Sequence, residues 1–315
     1  RVPYGASGVY KVTNAIFINT GGITIIFDNP NIKFKKFYNG AVIVVNAGQV
    51  DLINVGIDGN GASYTGSGIY YNDSTYFTYN CSVTNAYISN TQDSCILFKG
   101  PKGGAGIVIR GGALTTYNPT GASSGGYPSI RLNGAQDADV ANRTITEVTS
   151  SAQPLIDVTG MWLTKISDCF CGTIFFGGNP SVTGIPISAT YDSTETFINN
   201  TYIRDGLIID RTSEVNIENS LSHGNAPTYS TYGGVPTGSS TYGWVITANS
   251  LCVAIGPTNR VTNMVQNLEP NGTAVGNQSS IFQSLFPFSL VWTGATTNPA
   301  LVNGTSTSSY NYSYK

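Results

Sequence analysis

Few side chains in this sequence carry charge, so the acidic ones that could work in pairs come first. Glu147 and Asp168 are the leading carboxylates, because each closes a short phrase opened by isoleucine, Ile145-Thr146-Glu147 and Ile166-Ser167-Asp168. If that phrase is a structural repeat, the two stand at one corner on neighbouring coils. Retaining glycosidases hold their acid/base and nucleophile about 5–5.5 Å apart, close to such a spacing. The plainer reading is a solvated pair of turn residues. Arg131 and Asp157, each one residue after an isoleucine, form a second polar pair, about 4.8 Å apart if their strands are neighbours. They read as a cross-strand ion pair or, more sharply, as a substrate-binding pair. Asp58, in Asp58-Gly59-Asn60-Gly61, lacks the oxygen-rich spacing of a calcium loop and reads as a tight turn. No metal site and no cofactor are expected.

The one histidine, His223, has no catalytic partner in its neighbourhood and reads as an exposed corner residue. Aromatic side chains give the positive signal for carbohydrate. Tyr and Trp stack on sugar rings and add a hydrogen-bonding tip. Tyr117, Tyr127, Tyr229, Tyr232, Tyr242 and Trp244 lie in Gly/Ser-rich stretches, where they contact a glycan or simply cover the scaffold.

The elements that position these residues follow from a repeated phrase. Leu52-Ile53-Asn54-Val55-Gly56-Ile57 and Val83-Thr84-Asn85-Ala86-Tyr87-Ile88 share the order apolar, any, Asn, any, any, apolar. Ile109/Gly111/Leu114, Ile166/Asp168/Cys171 and Ile198/Asn200/Ile203 repeat it, and Ile217/Asn219/Ser222 is a weakened copy. Asn, Gly and Asp tolerate the left-handed backbone that a sharp bend between two strands requires. A second series, Ile43, Ile69, Ile96, Ile130, Ile156, Ile174 and Ile208, recurs at irregular intervals, with Asn46, Asn72 and Asn133 three residues on. Core positions kept while loops vary mark an all-β solenoid. Its expected organisation is a lead-in over 1–14, coils over 15–225, and an irregular C-terminal β region or cap with a Ser/Thr/Tyr-rich tail over 226–315. Lys33, Lys35 and Lys36 are expected to guard the exposed edge of the first coil.

Ile57-Asp58-Gly59-Asn60-Gly61, Gly68-Ile69-Tyr70-Tyr71-Asn72 and the Val83/Asn85/Ile88 phrase together resemble the right-handed, single-stranded parallel β-helix of the pectin-lyase-like superfamily, over about 15–225. The resemblance implies a fold shared by polysaccharide lyases and hydrolases, viral tail spikes, adhesins and surface fibres. Polygalacturonase-like members carry an Asp-Asp pair, a Gly-His-Gly and an Arg-x-Lys. Here only the His-Gly of Ser222-His223-Gly224 matches. Pectate-lyase-like members need a carboxylate calcium cluster, and no such Asp-rich run exists. Catalytic residues therefore do not carry over. What the resemblance leaves is an exterior attachment protein, a virion tail spike or fibre component that contacts a host surface polysaccharide or glycoprotein. A lyase or hydrolase, and a structural cell-surface protein or adhesin, are the alternatives.

Composition narrows the classes. Charged residues are 10% of the 315 and the net charge is −2, against about 25% charged in ordinary soluble domains. That excludes an electrostatic footprint for nucleic acid. Low charge suits either β-helices in general or an acidic exterior. No apolar run is long enough to span a membrane. The chain opens on Arg1 without a signal peptide and reads as an excised or processed piece. Five cysteines, Cys81, Cys95, Cys169, Cys171 and Cys252, read as buried thiols, with one disulfide as the alternative. Sequons at Asn72, Asn80, Asn142, Asn199, Asn271, Asn277, Asn303 and Asn311 permit a glycosylated, extracellular or virion-surface protein.

Strand alternation places the residue after each stacked isoleucine outside: Val44, Tyr70, Leu97, Arg131, Asp157, Phe175 and Ile209. So apolar a stripe is expected to be covered, by another subunit or by the chain's own insertions at 100–128 and 177–194. The resemblance implies a homotrimer, with Tyr70, Leu97, Arg131, Asp157, Phe175 and Ile209 at its interface.

Overall fold

Each copy of the phrase is two strands hinged at one left-handed residue, and stacking the copies builds the molecule. The computed structural model describes residues 8–29, 31–73, 76–99, 105–117, 127–134, 136–142, 144–145, 155–177, 193–203, 207–209 and 212–222, and beyond them a set of short strands between 231 and 312. Among the described residues every regular element is a strand. Apart from two antiparallel pairings after residue 230, the strands form three parallel ladders, each winding one strand per coil, so the chain is a parallel β-helix.

The first ladder runs Ile16–Ile18, Ile43–Val45, Ile69–Asn72, Ile96–Lys99, Ile130–Asn133, Ile156–Thr159, Ile174–Gly177, Leu207–Ile209. The second begins at Ile23–Ile26 and Val50–Ile53, and the third at Val9–Val12 and Lys33–Lys36. The long strands Cys81–Thr91 and Ala105–Thr116 cross from second to third, which marks the corner between them as a bend within one strand. The third ladder thus starts inside the expected lead-in. Beyond 225, Tyr242–Thr247, Met264–Leu268 and Phe288–Thr293 continue the first ladder in parallel, and Ser309–Tyr312 adds to it antiparallel.

The hinge is the Asn column. Asn54, Asn85, Asn142, Asp168, Asn200 and Asn219 have φ between 47° and 60°, and Gly111 has 64°. Most L-residues are penalised there by about 1–2 kcal/mol, which is why the column is written in Asn, Asp and Gly. Amides stack along it: Asn85 Nδ2 donates to Asn54 Oδ1 at 2.7 Å, and Asn200 Nδ2 to Asp168 Oδ1 at 2.6 Å. Leu52, Val83, Ile166 and Ile198 lie inside, as the phrase predicts, none more than 1% exposed. Burying each such side chain is worth about 1.5–3 kcal/mol, so every coil adds its own increment to one continuous core.

Register corrects three expectations. The corner position between Gly111 and Asp168 is Asn142, while Ile145 pairs with Leu114 in the third ladder. The corner register expected for Glu147 is thus held by Asn142. In the first ladder, Leu207 pairs with Ile174 and Ile209 with Phe176, so Ile208 faces out and Ile209 in. The misreading came from aligning Ile208 with the isoleucines, when Leu207 holds that place. Lys36 does not guard an edge. It is 0% exposed, with its ammonium turned onto three backbone carbonyls.

Candidate functional site

The outer row of the first ladder reads Phe17, Val44, Tyr70, Leu97, Arg131, Asp157, Phe175, Ile208 in register. Cover is uneven in its first part, where Val44 is buried beside an open Phe17, and complete at its end. Phe17 is 60% exposed, Tyr70 and Leu97 are half-buried, and Phe175 and Ile208 are 2% and 0% exposed within the single chain. The polar group sits midway. Arg131 Nε lies 3.4 Å from Asp157 Oδ2 on the next coil, and its Nη1 lies 3.8 Å from Asp93 Oδ1. Thr159 Oγ1 donates to Asp157 Oδ1 at 2.7 Å, which holds the less exposed carboxylate in place. The cross-strand ion pair is therefore present, and Asp93, a residue the phrase does not reveal, makes it a triad. Tyr70 Oη donates to Asn72 Oδ1 at 3.1 Å and so stays flat on the same ladder.

Lys36 braces the turns beside this face. Its Nζ donates to the carbonyls of Gly40, Thr65 and Gly66 at 3.1, 2.9 and 3.0 Å. Burial pushes its pKa down from 10.5 to about 8, opposed by the Asp93 carboxylate.

Among the described residues the other acidic candidates do not assemble a catalytic pair. Asp168 is a corner residue bonded to Asn200; Glu147 and His223 lie outside the described residues. Asp58 Oδ1 accepts from the Asn60 amide at 3.0 Å, the bond of a tight turn, and its Oδ2 faces Lys35 at 3.7 Å. Among the described residues no group of three His, Cys, Asp or Glu is arranged to hold a metal. Cys81, Cys95, Cys169 and Cys171 are buried thiols outside any disulfide, and burial raises the Cys81 pKa.

The aromatic candidates scatter. Tyr117 is half-buried against Gly61, where an added Cβ would come 2.5 Å from its own Cβ, so it serves as cover for the scaffold. Tyr127 is 37% exposed beside Thr116, whose hydroxyl donates to its carbonyl at 3.0 Å. Trp244 pairs with Leu207 and Val265, in the register of the inward isoleucines rather than in a loop. Tyr242 pairs with Met264 in the same strand, Tyr232 with Val235 in a short hairpin, and Tyr229 lies outside the described residues.

The aromatic rings that the structure does bring together are elsewhere. Phe170 and Tyr202 stack on adjacent coils of the third ladder, centroids 4.7 Å apart and planes 2° from parallel. Phe170 is 45% exposed, and Tyr87, in the same outer row, 38%. The signal was present in the phrase: its fifth position is the outward residue of the third ladder, and there the repeats read Gly56, Tyr87, Ala113, Phe170, Tyr202 and Leu221. Trp162 and Phe197, 49% and 43% exposed, add apolar surface at the start and middle of two adjacent strands of the second ladder.

Among the sequons, Asn72 Nδ2 is already engaged with Asn46 Oδ1 at 3.1 Å, so a glycan there would break the amide ladder of the first sheet. Asn80, Asn142 and Asn199 are exposed. Asn311 falls in the final strand, and Asn271, Asn277 and Asn303 lie outside the described residues.

No family model matches the chain, and no curated protein matches it. Among solved structures, the A-module of the mannuronan C-5 epimerase AlgE4 from Azotobacter vinelandii is similar over 82% of this chain and 80% of that one, at 8% identity and a TM-score of 0.35. At that level neither residues nor chemistry carry over from it.

Proposed function

We propose that this chain is an exterior recognition protein that contacts glycans through the outer surface of its coils, as part of a virion tail spike or fibre. The observation that carries the reading is the outer row of the third ladder, where Tyr87, Phe170 and Tyr202 present aromatic surface on a rigid scaffold. Aromatic faces stacked on sugar rings give affinity with little conformational cost, and a solenoid repeats such faces along its length. The sparse charge of the chain suits contact with hydroxyl-rich ligands. A homotrimer exposed at the virion surface and held through the incompletely covered residues of the first-ladder row, Phe17, Tyr70 and Leu97, belongs to the same proposal.

A second reading, a polysaccharide lyase or hydrolase, is favoured by one feature: Asp93 and Asp157 sit on either side of Arg131. Incubating the protein with purified surface polysaccharides separates the two. Retention of intact polysaccharide on immobilised protein supports recognition. New reducing ends or unsaturated sugars, abolished by Asp157→Asn, would replace it with the enzyme. Absence of both binding and cleavage overturns the glycan reading.

A further inference from the structure

The first two strands of the third ladder put three lysines on its outward face. Lys11 in Val9–Val12 and Lys35 in Lys33–Lys36 are direct partners in register, so their stems start about 4.8 Å apart, and Lys33 stands two residues from Lys35 on the same face. Like charges set opposite one another across strands are destabilising. Among the described residues of that face over its first four strands the one acid is Asp58, whose Oδ2 lies 3.7 Å from Lys35 Nζ. Its Oδ1 already accepts from the Asn60 amide at 3.0 Å and from Asn90 Nδ2 at 3.3 Å. One carboxylate thus faces three ammoniums, in a chain that has only 15 Lys and Arg and a net charge of −2.

Protection of an open strand edge accounts for one of the three. Lys11 lies in the first strand of the ladder, whereas the strand of Lys33 and Lys35 is paired on both sides, with Val9–Val12 and with Gly56–Asp58. Each ammonium is anchored at a different place. Lys33 Nζ donates to Ser89 Oγ at 3.0 Å, so its side chain crosses the intervening strand at Gly56, where no side chain stands in its way. Lys11 Nζ lies 4.7 Å from the centroid of the Phe37 ring, and Lys35 reaches Asp58. Tyr87, 38% exposed, continues the row of Lys33 two strand spacings, or roughly 10 Å, farther along.

We infer that this face binds an acidic polysaccharide, with negative groups of successive sugars at Lys11, Lys33 and Lys35 and a sugar ring against Tyr87. Charge complementarity selects the sign of the partner. Ammoniums held at three separate anchors match single charges spaced along a polymer better than one multiply charged phosphate. The exposed ring in the same row supplies the apolar face on which a sugar stacks. A neutral glycan would leave the repulsion between the lysines unrelieved, and edge protection leaves Lys33 and Lys35 without a role. The inference rests on the glycan-contact reading and adds to it the charge of the ligand and a place, the N-terminal end of the third ladder.

The test measures binding of the full chain to immobilised hyaluronan, charged through carboxylates, and dextran sulfate, charged through sulfates. Dextran and mannan serve as neutral comparisons, and single-stranded DNA and poly-glutamate as other polyanions. At least one acidic polysaccharide should bind more tightly than all four comparisons, and should weaken as salt rises from about 50 to about 300 mM, because screening removes the attraction. Replacing Lys11, Lys33 and Lys35 together by Gln should weaken it about tenfold or more, and Tyr87→Ala severalfold, while the same three lysines changed to Arg should hold it within about twofold. Lys165→Gln, an exposed lysine on the second ladder, should leave it unchanged. Melting curves confirm that each variant is folded. Acidic-polysaccharide binding that survives the triple Gln substitution overturns the site. DNA or poly-glutamate bound as tightly as the acidic polysaccharides overturns the partner class. A parent protein that retains a neutral polysaccharide and no acidic one overturns the inference and leaves the glycan reading standing, whereas one that retains no polysaccharide overturns both.

Discussion

Phe170 and Phe175 stand five residues apart on the same coil, both on outward positions of their strands, yet Phe170 is 45% exposed and Phe175 2%. Alternation fixes the face of the sheet on which a side chain stands. Whether water reaches that face depends on what packs over it, and the two ladders differ there: the first-ladder row ends buried at Asp157, Phe175 and Ile208, while Tyr87 and Phe170 in the third-ladder row are both exposed. A binding surface and a second core layer can thus be written in the same pattern. Substitution by Asp separates them. Phe175→Asp places a charge in a dry site and removes a buried ring, so it should lower stability by about 4 kcal/mol or more, enough to prevent folding. Phe170→Asp should change stability by under about 1 kcal/mol, beyond loss of its stack on Tyr202. Urea denaturation of both variants decides; equal losses would mean that the third-ladder row is also covered.

The next contrast is between Lys36 and the lysines beside it. Lys36→Met should cost about 3 kcal/mol, because it strands the carbonyls of Gly40, Thr65 and Gly66, whereas Lys35→Met should cost little, its pair with Asp58 being 3.7 Å long and partly solvated. Lys36 also carries a pH signature. Its folded pKa of about 8 lies below the ordinary 10.5, so between those values the unfolded chain binds the proton more tightly. Stability should therefore rise from pH 8 toward 10.5 and gain nothing from this group below 8. Denaturant melts over that range should show the slope, and Lys36→Met should remove it.

Arg131 tests the point where the first-ladder row changes from open to closed. Arg131→Met leaves Asp157, whose side chain is 8% exposed, without its neighbour on the next coil, at a cost of about 2 kcal/mol. Asp157→Leu added to it should recover part of that loss, since a matched apolar pair needs no counter-charge. If the double variant is no more stable than Arg131→Met, the triad's main partner is Asp93 rather than Asp157.

The repeated phrase made much of this legible. An Asn at the third position forecast a left-handed corner, and flanking aliphatics forecast the inward columns, because both follow from local backbone preference and a period of two. Ile209 was misplaced because the Leu207-Ile208-Ile209 run is apolar at every position, and a one-residue slip leaves such a run looking unchanged. Glu147 was misplaced for a related reason: Asn142-Arg143-Thr144-Ile145 keeps the corner residue but loses the isoleucine two places before it, where Val140 stands instead. The aromatic row is readable at the phrase's fifth position, whereas the Gly/Ser-rich stretches point to other tyrosines. Asp93 could not be found from pattern at all, since it reaches Arg131 from a turn that obeys no repeat.

The smallest expected effect separates the two corner columns. Between the second and third ladders the left-handed position is Asn, Asp or Gly in every coil from Asn54 to Asn219, but at the entrance to the second ladder it reads Gly22, Gln49, Asn80, Gly106, Asp137, Leu163 and Glu195. Leu163 is the odd member: a bulky residue at φ 56° with its side chain 37% exposed, next to an exposed Trp162. A γ-branched side chain gains nothing from that backbone, which costs it about 1–2 kcal/mol. Leu163→Asn should therefore stabilise the fold by roughly 0.5–1 kcal/mol, through relief of strain and a new amide beside Asp137 and Glu195. Asn85→Leu, the mirror change in the other column, should destabilise by about 2 kcal/mol, since it adds the same strain and removes the bond to Asn54. A rise in melting temperature for the first and a fall for the second would show that the two columns follow one backbone rule. If Leu163→Asn instead lowers the melting temperature, the leucine packs against something that outweighs its strain, and the Trp162–Leu163 surface is covered rather than open.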